Sequence, residues 1–266
     1  MLAFVQFLHI VDFMIMMPLG PTLMRDLALN PQDFSILISS YTFSAALSSL
    51  LFSLVTDKVD RKRALLFFFF GFSISTFACG LVSSFWTLLS MRILAGFFGG
   101  VIGSVALAIV GDLFDVDRRG TAMGIVMTSF SLSAILGVPI GLIASEYWNW
   151  EAPFLGLGLV ALASIPLAKA FVPTMKGHMN HSSEHEVTRK FYRGLPAPLI
   201  LMALLVLGQF SVIPFISPSL VFNAGWPSHL LPLIYIVGGF CTVIGSPLIG
   251  RVSDLYGPRR IFLISV

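Results

Sequence analysis

Eight apolar stretches of membrane-spanning length follow one another along this chain, at residues 2–24, 35–56, 64–84, 86–110, 121–145, 152–172, 197–221 and 230–250. A helix needs about 20 apolar residues to cross the ~30 Å hydrocarbon core, because each residue advances it by ~1.5 Å. In lipid every backbone N–H and C=O must find its partner within the protein, which leaves helices and closed barrels as spanning elements. Barrel strands need only ~10 residues, so stretches of this length read as helices. The predicted fold class is an all-α polytopic membrane protein. A ninth apolar stretch begins near Ile261 and is cut at Val266. So short a piece covers only ~9 Å, and the expectation is that the chain stops inside a ninth span.

Composition narrows the function classes. The 266 residues are 56% hydrophobic and 11% charged, with a mean hydropathy of +0.92. An average soluble domain carries about 25% charged residues, so this surface must face lipid. Disorder, nucleic-acid binding and a disulfide-stapled secreted fold are excluded. Cys79 and Cys241 both fall within apolar runs and report no redox compartment. The N-terminal stretch lacks a basic leader and holds His9, Asp12, Pro18 and Pro21, so it reads as a first span rather than a signal peptide.

Charge placement sets the orientation. All of the 16 lysines and arginines except Arg25 and Arg92 lie in or beside the connections that follow spans two, four, six and eight. By the positive-inside rule those connections are cytoplasmic, and so is the N-terminus. The expected location is a plasma or inner membrane. Residues 173–196 form the one long polar connection, dividing an N-terminal six-helix bundle (1–172) from the start of a second bundle (197–266). His178, His181, Glu184 and His185 within it read as a solvated linker, not a metal site, because no cysteine or rigid flank supports closed ligation.

The chain also repeats itself. Shifted along itself by 197 residues, Ser53-Leu-Val-Thr-Asp57-Lys-Val-Asp60-Arg61-Lys62-Arg63 falls on Gly250-Arg-Val-Ser-Asp254-Leu-Tyr-Gly257-Pro-Arg259-Arg260. The same shift sets Asp12 on Gln209 and Pro21 on Pro218. A shared offset for an acidic–basic loop, a midspan polar residue and a proline argues for duplication of a six-span unit, as in transporters with parallel repeats.

On these motifs the chain resembles the major facilitator superfamily. Gly250 to Arg260 matches its signature loop G-x-x-x-D-x-x-G-x-R/K-R/K, whereas the first copy has Ser53 and Asp60 where that pattern has glycines. Arg92-Ile-Leu-Ala-Gly96-Phe-Phe-Gly99-Gly100, the loop from Asp112 to Gly124, and Gly137-Val-Pro139-Ile-Gly141 are similar to motifs of the drug:proton antiporter branch. A Trp-Arg pair typical after span five is here Trp150-Glu151. The resemblance implies a major-facilitator-type bundle with a complete first half, an incomplete second half and alternating access. It also implies a secondary transporter, not an enzyme, that needs no cofactor beyond the proton gradient and is a monomer when full length. Sugar, amino-acid and metabolite exporters share these features.

Two sets of residues carry the expected chemistry. Asp57 and Asp254, with Arg61 or Lys62 against Asp112, and Gly250, Gly257, Arg259 and Arg260 in the second copy, suit a cytoplasmic latch that opens as the halves rock. Gly137, Pro139 and Gly141 would permit close packing and a bend in span five. Ionisable groups deep in a bilayer are costly and mark function. Here they are Asp12, His9 one turn before it, and Arg92. Desolvation and a facing arginine act in opposite senses on the proton affinity of a carboxyl. That tension suits a proton carrier at Asp12, with His9 tuning or relaying, Arg92 as counter-charge and Gln209 as a neutral partner in the other half. A static ion pair is the alternative. The expected activity is proton-coupled efflux of a small hydrophobic or weakly cationic molecule. The rivals are an uptake symporter for a metabolite or sugar, a sensor that does not transport, and an inactive truncated product.

Overall fold

The structure, a computed structural model, describes residues 1–174 and 196–256, apart from a few side chains among them. Its described residues are predominantly helical, with no strand among them. Helices α1 (Leu2–Ile15) and α2 (Gly20–Asp26) follow each other with a 56° bend. Then come α3 (Pro31–Ser53), α4 (Arg61–Cys79) and α5 (Phe85–Leu113). Helix α6 (Val116–Leu132) runs through a π-turn at Ser133–Gly137 into α7 (Val138–Tyr147). The last helices are α8 (Ala152–Phe171), α9 (Pro196–Phe222) and α10 (Leu231–Tyr256). Seven helices, counting α6 to α7 as one, are long and apolar enough to cross a membrane, and the bent pair α1–α2 supplies an eighth. Eight spans are what the apolar periodicity leads one to expect, so this is a multi-span membrane protein.

Local chemistry explains the helix boundaries and the irregularities. Asn30 caps α3 by accepting from the Asp33 N–H at 2.8 Å, with Pro31 in the first turn, where its missing N–H costs nothing. Asp60 caps α4, accepting from the N–H groups of Lys62 at 2.8 Å and Arg63 at 3.3 Å. That cap is the use to which this chain puts the position where the family pattern has glycine. The first span is not one straight helix over 2–24, as its apolar run suggests. Pro18 lacks the N–H that would continue α1, and the chain turns before restarting at Gly20 with Pro21 in the new first turn. In span five, Pro139 cannot donate to the Ile135 carbonyl, and the π-turn over Ser133–Gly137 takes up the mismatch.

Small residues and serines draw the helices together. A methyl placed on Gly96 would lie 2.9 Å from the Tyr41 Cα, and one on Gly100 would lie 2.6 Å from the Ala45 Cα. Helix α5 therefore touches the α3 backbone directly. Ser44 and Ser49 of α3 donate to the carbonyls of Ile93 at 2.6 Å and Gly100 at 2.7 Å across that seam. Without a hydrophobic drive between helices in lipid, close backbone approach and interhelical hydrogen bonds carry association. Ser129 of α6 and Ser133 of the π-turn bond the α1 carbonyls of Ala3 at 2.7 Å and Phe7 at 3.3 Å in the same manner. The antiporter-like glycines do pack closely, but onto α1: Gly137 faces Val11, and Gly141 faces Ile15 and Pro153. Helix α10 lies against the other side of that segment, its Gly239 fitted to Ile135 and Ala134.

Two apolar clusters divide the N-terminal bundle. One gathers Ile15, Leu23, Phe34, Leu88, Trp150 and Phe154. The other gathers Val5, Leu65, Phe69, Phe72, Val101 and Ile109. Asp12 on α1 and Arg92 on α5 fall between them in sequence, so the charges occupy a layer between two apolar ones.

The glycine seam generates a test. Gly100→Ala is expected to push α3 from α5 and lower stability by about 1–3 kcal/mol, the usual effect of overpacking. Gly124→Ala, inside α6 where a methyl meets nothing within 4 Å, should leave stability unchanged or raise it by up to about 1 kcal/mol. Thermal melts of the two purified variants in detergent check the contrast.

Candidate functional site

The layer between the clusters holds a buried ion pair. The Arg92 guanidinium donates through one nitrogen to both Asp12 oxygens, at 3.1 Å each. Side-chain exposure is 1% for Arg92 and 0% for Asp12, so neither charge has water to fall back on. Thr76 of α4 donates its hydroxyl to Asp12 Oδ1 at 3.2 Å. The Arg92 guanidinium carbon lies 4.3 Å from the centre of the Tyr41 ring and 5.8 Å from that of Phe154. These distances allow the ring faces to share the cation's charge. The Tyr41 hydroxyl is buried without a hydrogen-bond partner. Helices α1, α3, α4, α5 and α8 thus all contribute to one site.

Of the residues expected around the proton, three assemble. Asp12 and Arg92 are in contact, and His9 stands one turn away with its ring edge-on to Phe72 at 5.6 Å between centres. His9 Nδ1 is sealed from solvent without a hydrogen-bond partner. Gln209 does not join them. It is exposed on α9 and makes no hydrogen bond to the Asp12–Arg92 pair, although the ring of its neighbour Phe210 packs tilted against Phe13, centres 5.7 Å apart. Tyr41, Thr76 and Phe154 were not legible as site residues. Their signal, a hydroxyl or a ring within an apolar run, is shared by many residues that only pack.

A second ionic contact closes one end of the bundle. Arg61, in the first turn of α4, pairs with Asp112 at 2.9 Å and donates to the Ala108 carbonyl at 2.7 Å. It thereby ties the start of α4 to the end of α5. Lys62 gives its backbone N–H to the Asp60 cap. Asp57 lies in a short 3₁₀ turn at Thr56–Lys58, but its side chain is outside those described. Gly250 and Asp254 fall on α10 in a stretch whose side chains are likewise outside the description. Gly257, Arg259 and Arg260 lie outside the described residues, as does the histidine-bearing linker. Cys79 and Cys241 are free thiols.

Membrane-length helices packed through small-residue seams around a buried charge pair define a polytopic helical membrane bundle. Residues 2–266 match the Major Facilitator Superfamily, and the chain belongs to that family, whose members are transporters and not enzymes. Among curated proteins, the chain is similar to probable sugar efflux transporters of Helicobacter pylori strains J99 and 26695. Each is 28% identical over 218 residues, which cover 82% of this chain and 56% of the relative. The chain thus spans about half the length of the curated relatives it matches. Among solved structures, a bacterial homolog of the human lysosomal transporter Spinster, inward-facing and unoccupied, superposes with a TM-score of 0.79 at 17% identity. It covers 97% of this chain and 62% of its own. The D-xylose–proton symporter superposes with a TM-score of 0.70 at 14% identity, over 95% of this chain and 68% of its own. At such identities these two share the fold.

Burial of the pair sets an expectation for stability. Arg92→Met leaves the Asp12 carboxylate without its counter-ion and should cost about 3–5 kcal/mol. The double variant Asp12→Leu, Arg92→Met removes both charges and should recover most of that loss. Melting of the three proteins in one detergent measures it, and a double variant no more stable than Arg92→Met would contradict the pairing.

Proposed function

We propose that this protein is a secondary active transporter that exports a small hydrophobic or weakly cationic molecule in exchange for protons by alternating access, from a plasma or inner membrane with its N-terminus in the cytoplasm. The observation that carries this reading is the buried Asp12–Arg92 pair. A carboxylate and a guanidinium together are neutral, and the bilayer tolerates them in contact. Protonating Asp12 deletes the negative charge and leaves the guanidinium uncompensated in a low-dielectric site, an arrangement that costs several kcal/mol. A proton therefore favours any conformation in which Arg92 finds water or another partner. A ligand can shift a two-state equilibrium by its differential affinity for the two states, and a proton on Asp12 acts as such a ligand. The Arg61–Asp112 contact serves as a latch at the cytoplasmic end, formed in one state and broken in the other.

Cargo class follows from what the spans lack. Among the described residues, the midspan Asp, Glu, His, Lys and Arg side chains are His9, Asp12 and Arg92, a set that disfavours a polyanion. A sugar is a second reading. It is favoured by the name of the Helicobacter pylori relatives, and Thr76, Tyr41 and Gln209 offer hydrogen bonds of the kind a sugar uses.

The test uses the native full-length protein in vesicles loaded with a panel of fluorescent cationic dyes and radiolabelled pentoses and hexoses. An imposed proton gradient, acid outside the cytoplasmic face, should accelerate loss of at least one probe. Asp12→Asn should abolish that acceleration while the protein still inserts and binds the probe. Normal gradient-driven efflux by Asp12→Asn would sink the mechanism, and gradient-driven accumulation in place of loss would assign a symporter.

A further inference from the structure

Three buried polar atoms near the ion pair have no partner in it: Gln6 Oε1, His9 Nδ1 and the Tyr41 hydroxyl. Gln6, His9 and Asp12 stand three residues apart on α1, so they share one helical face in steps of ~4.5 Å. Gln6 is only 5% exposed and Tyr41 only 2%, so their polar ends are not ordinary surface groups. Opposite them α5 presents glycines. A methyl on Gly99 would lie 2.7 Å from the Tyr41 hydroxyl and 3.0 Å from His9 Cδ2, and one on Gly103 would lie 3.3 Å from Gln6 Nε2.

The α5 glycines thereby fall into two rows with different surroundings. Gly96 and Gly100 meet the backbone of α3, which is a packing role. Gly99 and Gly103 meet the polar tips of Gln6, His9 and Tyr41, and a side chain there would displace those tips. Buried polar atoms seldom go without hydrogen bonds, and where several converge ordered water supplies them. One turn before Gln6 on the same face is Leu2. With Met1 and Ala3 it lines a cavity of about 700 Å³, together with Ile109, Val110 and Arg118.

We propose that Gln6, His9 and Tyr41 hold a short file of water that carries the Asp12 proton between the ion pair and the cavity at the start of α1. This inference rests on the reading of Asp12 as proton carrier. The other ionisable groups facing Asp12 are Arg92 of α5, Tyr41 of α3 and Cys79 of α4. In the step itself the Asp12 O–H bond breaks and the proton joins a neighbouring water. His9 Nδ1 accepts a proton from the file while the ring or the file releases one further along, with Gln6 Oε1 accepting to orient the water. The carboxyl loses one proton and the cavity gains one. No bond between heavy atoms changes and no oxidant or reductant takes part.

Infrared spectroscopy of the full-length protein in lipid films, stepped in pH and then switched from H₂O to D₂O, tests this without knowledge of the cargo. A protonated-carboxyl band absent from Asp12→Asn identifies the carrier. Gln6→Leu and His9→Phe should each slow deuteration of that band about tenfold, the rate equivalent of one lost hydrogen bond. Gly103→Ala should slow it in the same direction without deleting a polar group, and the outward-facing Phe67→Leu should leave it at the parental rate. Parental exchange rates in Gln6→Leu, His9→Phe and Gly103→Ala, with melting temperatures unchanged, overturn the route and leave the carrier intact. No carboxyl band sensitive to Asp12→Asn overturns the carrier, and the route with it.

Discussion

The contact between Asp12 and Arg92 is the constraint around which this bundle is arranged. Two opposite charges taken wholly out of water must meet each other and satisfy their remaining hydrogen-bonding capacity, or the desolvation they suffer goes uncompensated. That requirement brings α1 and α5 together at one level. It also recruits a hydroxyl from α4, an aromatic face from α3 and a second ring from α8. Apolar clusters flank the layer on either side. A pair held in this way is structurally demanding and chemically sensitive, because one proton converts a balanced site into an unbalanced one.

Backbone proximity makes such a site possible. A guanidinium and a carboxylate bridging two helices need those helices at a defined separation, and bulky side chains near the contact would hold them apart. Glycine at positions 96 and 100 lets α5 touch α3, and the Ser44 and Ser49 hydroxyls bridge the same seam. Glycine at positions 137 and 141 lets the α6–α7 span touch α1 from its other side. Helix α1 thus packs against the α6–α7 glycines on one side and sets its Gln6 and His9 tips against Gly103 and Gly99 of α5 on another, while carrying the acidic half of the pair. The π-turn that Pro139 imposes also shapes the surface on which Gly239 of α10 rests. The geometry of the first bundle and its contact with the second share one element.

Much of this was legible in the sequence, and what was not has physical causes. Apolar run length marks the spans because hydrocarbon thickness sets a minimum that few buried soluble helices reach. Asp12 and Arg92 stand out because charges are so rare in spans that two of them demand partners. Arg61 or Lys62 could be read as the partner of Asp112 from their places at one end of the bundle, and the structure pairs it with Arg61. The break at Pro18 was hidden because apolarity continues across it, and hydropathy is indifferent to direction. Asp60 looked like a lapse from a glycine pattern, while its actual work is to cap α4, which only the N–H geometry of Lys62 and Arg63 reveals. Gln6, Tyr41 and Thr76 carry no charge, so nothing in a span-by-span reading separates them from serines and threonines that bond their own helix.

The duplication sharpens the question of why one half carries the charge. The same shift that aligns the two signature loops places Gln209 where the first half has Asp12, yet the two environments differ. Asp12 is enclosed by five helices and neutralised by Arg92. Gln209 lies exposed on α9, with Phe210 beside it leaning on Phe13. A carboxylate in place of Gln209 would need a counter-ion of its own, because an unpaired charge at midspan is costly. A neutral amide in the enclosed position would leave Arg92 permanently unpaired. The carboxylate thus sits in the half where Arg92 meets it, and the aligned position of the other half carries an amide that needs no counter-ion.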